Sequence, residues 1–383
     1  MSQRTDPPAF ARLRAHGMLA VAAPLLLAGI LPLPPDLSSK WGWSGAWVYP
    51  VGDPHVAPLP LEEAGTDYRV VRGVTGSSGP DRGHDGVDLS CGAGGGEVRA
   101  AGNGLVVHAA ATGWNRGYGR HVVLAHQLAE GGLAYSVYAH LAPGSVSVRR
   151  GDRVAAGRVI GRVGMTGRAS SPHLHFEVRL AGDPFERWQS ALPEDPVAFI
   201  AARLPTPHPS ATWSRPYLEW AECAALIPLG VDGERRPTRA EWWRALLRST
   251  RHPLAAIPSS AESLRAALVE MRLLEEDRRA DPEAPLGWGD LARVVPRARD
   301  LGLRLPWSPV AREGRRAHCR RELGTATPSD NPEGLSGDPW PDRAAMCLLL
   351  ADLAGDPPPP RSKPKSKPKP KPATNPAPRP ATP

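Results

Sequence analysis

The sequence predicts a mainly β domain, then a mostly helical region, then a disordered tail rich in lysine and proline. Three observations predict this order. The stretch from about residue 49 to 180 reads as glycine turns between short strands, and His173-Leu-His-Phe-Glu-Val-Arg-Leu180 alternates in period two. Beyond the proline-spaced segment Pro205-Thr-Pro-His-Pro209, apolar residues recur three and four apart, as at Leu264, Leu268, Met271 and Leu274. From Pro357 onward the chain is dominated by Lys and Pro, which cannot bury a core and favour an extended, mobile conformation.

The N-terminus carries Arg4, Arg12 and Arg14, an apolar run from Gly17 to Leu33, and then Pro34-Pro35. A basic flank before a short apolar run is the layout of an export signal. Pro24 and Pro32 interrupt the run and no small-x-small cleavage site is evident, so residues 1–35 are expected to be a signal peptide or an N-terminal membrane anchor. The implied location is the periplasm, the cell envelope or the exterior.

The β region, expected over residues 36–204 with its core at about 49–180, concentrates the chemistry. Three short motifs, His84-Asp-Gly-Val-Asp88, Tyr138-Ala-His-Leu141 and His173-Leu-His-Phe-Glu177, supply four histidines among their polar side chains. Two imidazoles and one carboxylate suit a four-coordinate zinc with one open position, and two further imidazoles remain to move protons or stabilise charge. His173 and His175 share one face of their strand, while Leu174 and Phe176 take the other. His84 and Asp88 lie four apart across Gly86, which suits a turn entering the strand Val87-Asp88-Leu89.

With Gly102-Asn-Gly-Leu-Val-Val107, Gly117-Tyr-Gly-Arg-His-Val-Val-Leu124 and Val154-Ala-Ala-Gly-Arg-Val-Ile-Gly-Arg-Val-Gly164, these motifs resemble the lysostaphin/LytM-type (M23 class) zinc metalloendopeptidases, which cut peptides of bacterial peptidoglycan. The resemblance covers about a third of the chain. It implies an antiparallel two-sheet fold with one Zn2+ in a surface groove. Carried over position by position, it implies that His84, Asp88 and His175 bind the zinc and that His140 and His173 are the catalytic pair. It leaves open which of the two is the general base. The expected reaction is hydrolysis of amide bonds in stem or cross-bridge peptides, during wall remodelling or lysis. A catalytically silent wall-binding protein or amidase activator is the alternative, and a protease acting on Gly-rich proteins is a third. The segments Gly113–Arg120 and Met165–Pro172 are expected to wall the groove, whereas His108 and His121 are read as structural, and His126 as without a direct role.

Four cysteines, Cys91, Cys223, Cys319 and Cys347, fit no zinc knuckle. Export permits disulfides, so Cys319 with Cys347 or Cys223 with Cys347 could bridge, while Cys91 is read as a packing residue. After a linker at 205–212, a helical accessory domain is expected over 213–355. Its helices are placed at Trp220–Leu229, Arg239–Arg248, Ser260–Arg278, Trp288–Leu301 and Arg343–Leu353, with Thr238 and Asp342 as N-caps. Trp220…Leu229-Gly…Pro237-Thr-Arg-Ala is echoed by Trp288…Leu301-Gly…Pro341-Asp-Arg-Ala. That pattern is similar to S-layer homology modules, which bind wall polymers.

Residues 356–383 form the tail, where seven Lys and Arg face one Asp, giving +6 of the chain's formal +8. Its partners are expected to be anionic: wall polymers, lipid headgroups or peptidoglycan itself. Nucleic acid is a poor fit for an exported enzyme, and the rest of the chain carries only about +2, so no nucleic-acid partner is expected.

Overall fold

A computed structural model describes residues 43–60, 63, 67–75, 83–183, 185–207, 214–230, 235–249, 260–274, 281–301, 305, 308–310, 312–322 and 342–354. The leader and the Lys/Pro tail therefore lie outside the described residues. Among the described residues, no helix is long and apolar enough to cross a membrane.

Among the described residues ten strands build the first region: β1 (Arg69–Arg72), β2 (Val87–Ser90), β3 (Glu97–Arg99), β4 (Gly104–Ala110), β5 (His121–Gln127), β6 (Leu133–Ala139), β7 (Arg153–Val154), β8 (Val159–Arg162), β9 (Leu174–Ala181) and β10 (Leu192–Glu194). The main sheet runs β1-β2-β9-β6-β5-β4-β7, with β10 also pairing β9, and β3 with β8 forms a second sheet. Every pairing between these strands is antiparallel. The expected antiparallel two-sheet fold is what the chain adopts.

Period-two alternation divides the core. On β5, Val122 and Leu124 join Trp47, Tyr49, Tyr138, Phe176 and Ile160 on one face, while Val123 and Ala125 join Tyr135 and Val137 on the other. Both faces are covered, so β5 reads as a continuous apolar run. Each fully buried Leu or Val removes enough apolar surface to contribute about 1.5–3 kcal/mol.

Among the described residues seven α-helices follow: α1 (Pro196–Ala201), α2 (Arg215–Cys223), α3 (Arg239–Ser249), α4 (Ala261–Glu270), α5 (Trp288–Leu301), α6 (Arg312–Glu322) and α7 (Arg343–Ala354). Three of the expected helices sit as read, at α3, α5 and α7. The helix expected at Trp220–Leu229 instead begins at Arg215 with Pro216 in its first turn and ends at Cys223. Ala225 takes a left-handed φ of 54° and Leu226 N–H turns back to Ala221 O, which stops the helix. The helix expected to reach Arg278 ends at Glu270, followed by Arg272 at φ 58°. Thr238 and Asp342 do cap their helices, accepting from Glu241 N (3.3 Å) and Ala345 N (2.7 Å).

α3, α5 and α7 meet at their N-termini. Arg239 in the first turn of α3 pairs with Asp290 in the first turn of α5 at 3.0 Å. Arg343 in the first turn of α7 pairs with Glu241 in the first turn of α3 at 2.6 Å. Backbone bonds from Leu286 N to Pro237 O and from Arg343 N to Arg235 O close the same junctions. Among the described residues the helices pack around one apolar cluster, with α3 against α4, α2 against α7 and α6 against α7.

Neither disulfide pairing forms. Cys91, Cys223 and Cys347 are free thiols. Cys347 is wholly enclosed in the helical core, where it packs as a small hydrophobe, and burial pushes the Cys223 and Cys347 thiols far up. Cys91 is half-buried.

The segment before β1 joins the two regions. Gly45 N and Ala46 N donate to the carbonyls of Cys223 and Glu222 on α2, and Val48 N donates to Ala101 O beside the sheet. A Cβ at Gly45 would lie 2.2 Å from Glu222 O, so only glycine permits this approach. Asn103 clamps the same seam, donating to Cys223 O (2.8 Å) and accepting from Ala156 N (2.8 Å).

Candidate metal centre

Register delivers the motif residues to one place. Strands β2, β9 and β6 are adjacent, and Asp88 lies directly opposite His175 across the β2–β9 pair. Ala139 faces His175 from the other side, so His140 emerges at the end of β6 beside it. His84 is fixed just before β2 by its bridge to Thr75, and His173 just before β9 by its bridge to Gly164.

All five predicted side chains converge, each 7–9% exposed. His84 Nε2 is 3.0 Å from Asp88 Oδ1, His175 Nδ1 is 2.9 Å from that same oxygen, and the two nitrogens are 3.1 Å apart. The three ligand atoms form the single metal-compatible cluster among the described residues. Tetrahedral zinc with ligands at about 2.0–2.1 Å separates neighbouring ligand atoms by about 3.3 Å. The triangle is thus nearly the size that zinc requires.

The outward nitrogens support the same fit. His84 Nδ1 lies 2.8 Å from Gly73 O, and His175 Nε2 lies 2.8 Å from Glu177 Oε1. An N–H at each of these positions leaves the inward nitrogen with its lone pair free for a cation. The donor set is two imidazoles and a carboxylate, which suits zinc and leaves a fourth position open.

His140 and His173 repeat this device. Their Nδ1 atoms meet Thr166 O at 2.7 Å and Ser171 O at 2.9 Å, so each Nε2 is turned away from its backbone anchor. The rings stand 4.7 Å apart, and His173 Nε2 is 3.6 Å from Asp88 Oδ1. His140 takes a left-handed φ of 60°, a conformation a β-branched or bulky residue rarely holds without reinforcement. Its N–H donates to Tyr118 O at 2.9 Å, which supplies that reinforcement.

The electrostatics separate the groups. Burial pushes Asp88 up, but hydrogen bonds from His175 and His84 outweigh it and hold the carboxylate well below the usual range. His175 loses basicity to burial and regains more from Asp88 and Glu177, ending at about 9. Burial takes His140 down to about 4, only partly offset by Thr166 O, so its imidazole is neutral near pH 7.

Sequence reasoning missed the supporting shell. Glu177 is 1% exposed; its Oε1 also accepts from Tyr118 Oη (2.8 Å), and its Oε2 pairs with Arg179 Nε at 2.5 Å. Arg179 reaches on to Asp85 Oδ2 at 2.6 Å, tying the turn that carries His84 to the strand that carries His175. The available signal was period two, since Glu177 and Arg179 follow His173 and His175 on one face of β9.

The other histidines stand apart from the five. His126 is fully buried against Trp47, its nitrogens held by Asn103 O and Ser136 Oγ. His121 stacks on His108 at 4.7 Å. The two glycine-rich loops clasp one another: Arg168 N donates to Gly117 O, and Arg120 N to Thr166 Oγ1. A Cβ at Gly167 would lie 2.2 Å from Gly117 O, so the clasp requires glycine there.

Residues 82–187, within the β region, match the model of Peptidase family M23. The DD-carboxypeptidase/endopeptidase Mpg of Neisseria meningitidis is 38% identical over 126 residues, which is 31% of this chain and 27% of that protein. The peptidoglycan DD-endopeptidase ShyA of Vibrio cholerae is 33% identical over 128 residues, 31% of this chain and 27% of its own. The chain thus spans about a quarter of the length of these curated relatives. Among solved structures, the catalytic domain of lysostaphin from Staphylococcus simulans is 28% identical and aligns over 41% of this chain and 92% of that one, with a TM-score of 0.26.

Proposed function

We propose that the chain is a zinc-dependent metalloendopeptidase that hydrolyses amide bonds in peptidoglycan peptides. One observation carries this reading: five buried side chains converge, and each of the four rings has its outer nitrogen held by a carbonyl or carboxylate oxygen. That arrangement supports His84, Asp88 and His175 as ligands and His140 and His173 as catalytic groups.

His84 Nε2, Asp88 Oδ1 and His175 Nδ1 would hold the zinc. When bound, zinc supplies a Lewis acid that polarises a carbonyl and makes water acidic near neutrality. The protein's own residues do the rest. One of His140 and His173 accepts a proton at Nε2 and returns it to the leaving amine, while its neighbour donates to the developing oxyanion only when it carries a proton at Nε2 as well as at Nδ1. The backbone anchors at Thr166 and Ser171 fix both tautomers, so neither ring reorganises as the reaction proceeds. The clasped loops at 113–120 and 165–172 are the walls of the substrate groove in this reading.

In this reading the chain carries a signal peptide or membrane anchor at 1–35, a peptidase domain at 36–204, a linker at 205–212, a helical accessory domain at 213–355 and a basic tail at 356–383. Export to the envelope, with the tail held on anionic polymer or headgroups, follows from the leader and from the charge of the tail. The test is incubation of the full chain with purified sacculi, with zinc and with a chelator, followed by mass spectrometry of the released muropeptides. New amine termini that appear with zinc and vanish with chelator support the reading. Intact cross-links under every condition would leave the silent wall-binding alternative.

A further inference from the structure

We infer that the groove selects peptides carrying free carboxylates near the scissile bond, through a cationic rim made by Arg116 and Arg168. This rests on the peptidase reading and names the substrate class for that same site.

Each arginine lies two residues from a backbone carbonyl bonded to His140. Tyr118 O accepts from His140 N, and Thr166 O meets His140 Nδ1. Both loops are fixed at these points. Arg168 N donates to Gly117 O at 2.7 Å, which brings Arg168 against the residue next to Arg116. Asn115 and Arg116 both hold left-handed φ, of 49° and 56°, and Asn115 Nδ2 ties the loop to Thr112 O and Gly119 O. The backbone that carries both arginines is therefore held in place.

Both arginines are exposed, and neither guanidinium has an ion-pair or hydrogen-bond partner among the described residues. The acids closest to the site in sequence and structure are already engaged: Asp88 with two histidines, Glu177 with His175 and Arg179, and Asp85 with Arg179. Two like charges held close on clasped loops repel one another unless an anion lies between them. Arginine's planar fork suits a carboxylate in two-point contact. A neutral oligoglycine bridge offers no such group, whereas an acidic peptide does.

The experiment uses the full zinc-loaded chain and two synthetic cross-linked peptides, identical except that their carboxylates are free or amidated. The ratio of kcat/KM for the free acid over the amide is read at low and at high salt. The expected ratio is about three- to tenfold at low salt, the scale of two partly exposed charge contacts, and it shrinks as salt screens them. It approaches one in the Arg116→Gln/Arg168→Gln protein, and Arg168→Glu alone lowers it below the wild-type value. A wild-type ratio of one, or a preference that survives the double substitution, overturns the inference. If neither peptide is cleaved, the peptidase reading fails instead. Binding of the same two peptides, by isothermal calorimetry, then decides the rim: a Kd preference lost in the double variant upholds it, and equal Kd values overturn it.

Discussion

Glu177→Gln is the substitution that reports most directly on how the metal cluster is held. The carboxylate is 1% exposed and accepts from three donors, His175 Nε2, Tyr118 Oη and Arg179 Nε. A glutamine has nearly the same shape but offers one acceptor and one donor, so its amide N–H2 must confront a donor on one side. Breaking one partner of a buried charged pair costs about 3–5 kcal/mol. Asp85 remains beside Arg179 at 2.6 Å, which places the expected stability loss at the lower end, about 3 kcal/mol. His175 also loses the group that pins its Nε2 proton, and such outer contacts typically change metal affinity by roughly 10–100-fold. Competition with a chromophoric chelator gives the zinc affinity, and thermal unfolding gives the stability. Zinc affinity within threefold of wild type in a folded Glu177→Gln protein would refute the reasoning.

Other perturbations test separate parts of the account. Gly167→Ala forces a Cβ against Gly117 O at a left-handed φ of 75°, so the two loops must part; a drop in stability of about 1–3 kcal/mol with impaired turnover is expected, against no change if the clasp is incidental. Asn103→Ala removes the clamp on Cys223 O and Ala156 N and should cost about 1–3 kcal/mol in denaturant unfolding, with the seam opening first in hydrogen exchange. His126 is held by burial at about 4 in the fold against 6.5 unfolded, so the unfolded chain binds more protons between those values. Stability from His126 is then complete above pH 6.5 and is lost as pH falls to about 4, amounting to about 3 kcal/mol; His126→Gln should flatten that slope in pH-resolved unfolding curves.

The site was legible because its residues come in local packets. His84 and Asp88 are separated by one tight turn, and His173 and His175 by one strand pleat, so spacing alone fixed their common face. The third packet, at His140, depends on β6 lying next to β9, which only the family resemblance could anticipate. Glu177 and Arg179 sat in the same alternation, yet a strand residue's partners across the turn at Asp85 are not written in period. Helix starts at Thr238 and Asp342 were readable from their oxygens, whereas the end of α2 was not, because Ala225 takes a left-handed conformation that alanine does not advertise. The junction of Arg239 with Asp290 spans fifty-one positions, a separation across which no local pattern carries. Cysteine spacing likewise carries no distance, and Cys347 turned inward to the core instead of toward a partner.

The most direct test of the metal centre is the zinc content of purified single variants, measured by atomic emission alongside peptide cleavage. The account predicts one zinc per chain in the wild type, lost in His84→Ala, Asp88→Ala and His175→Ala. It predicts zinc retained with turnover abolished in His140→Ala and His173→Ala. Metal lost with His140→Ala but kept with His175→Ala would contradict it.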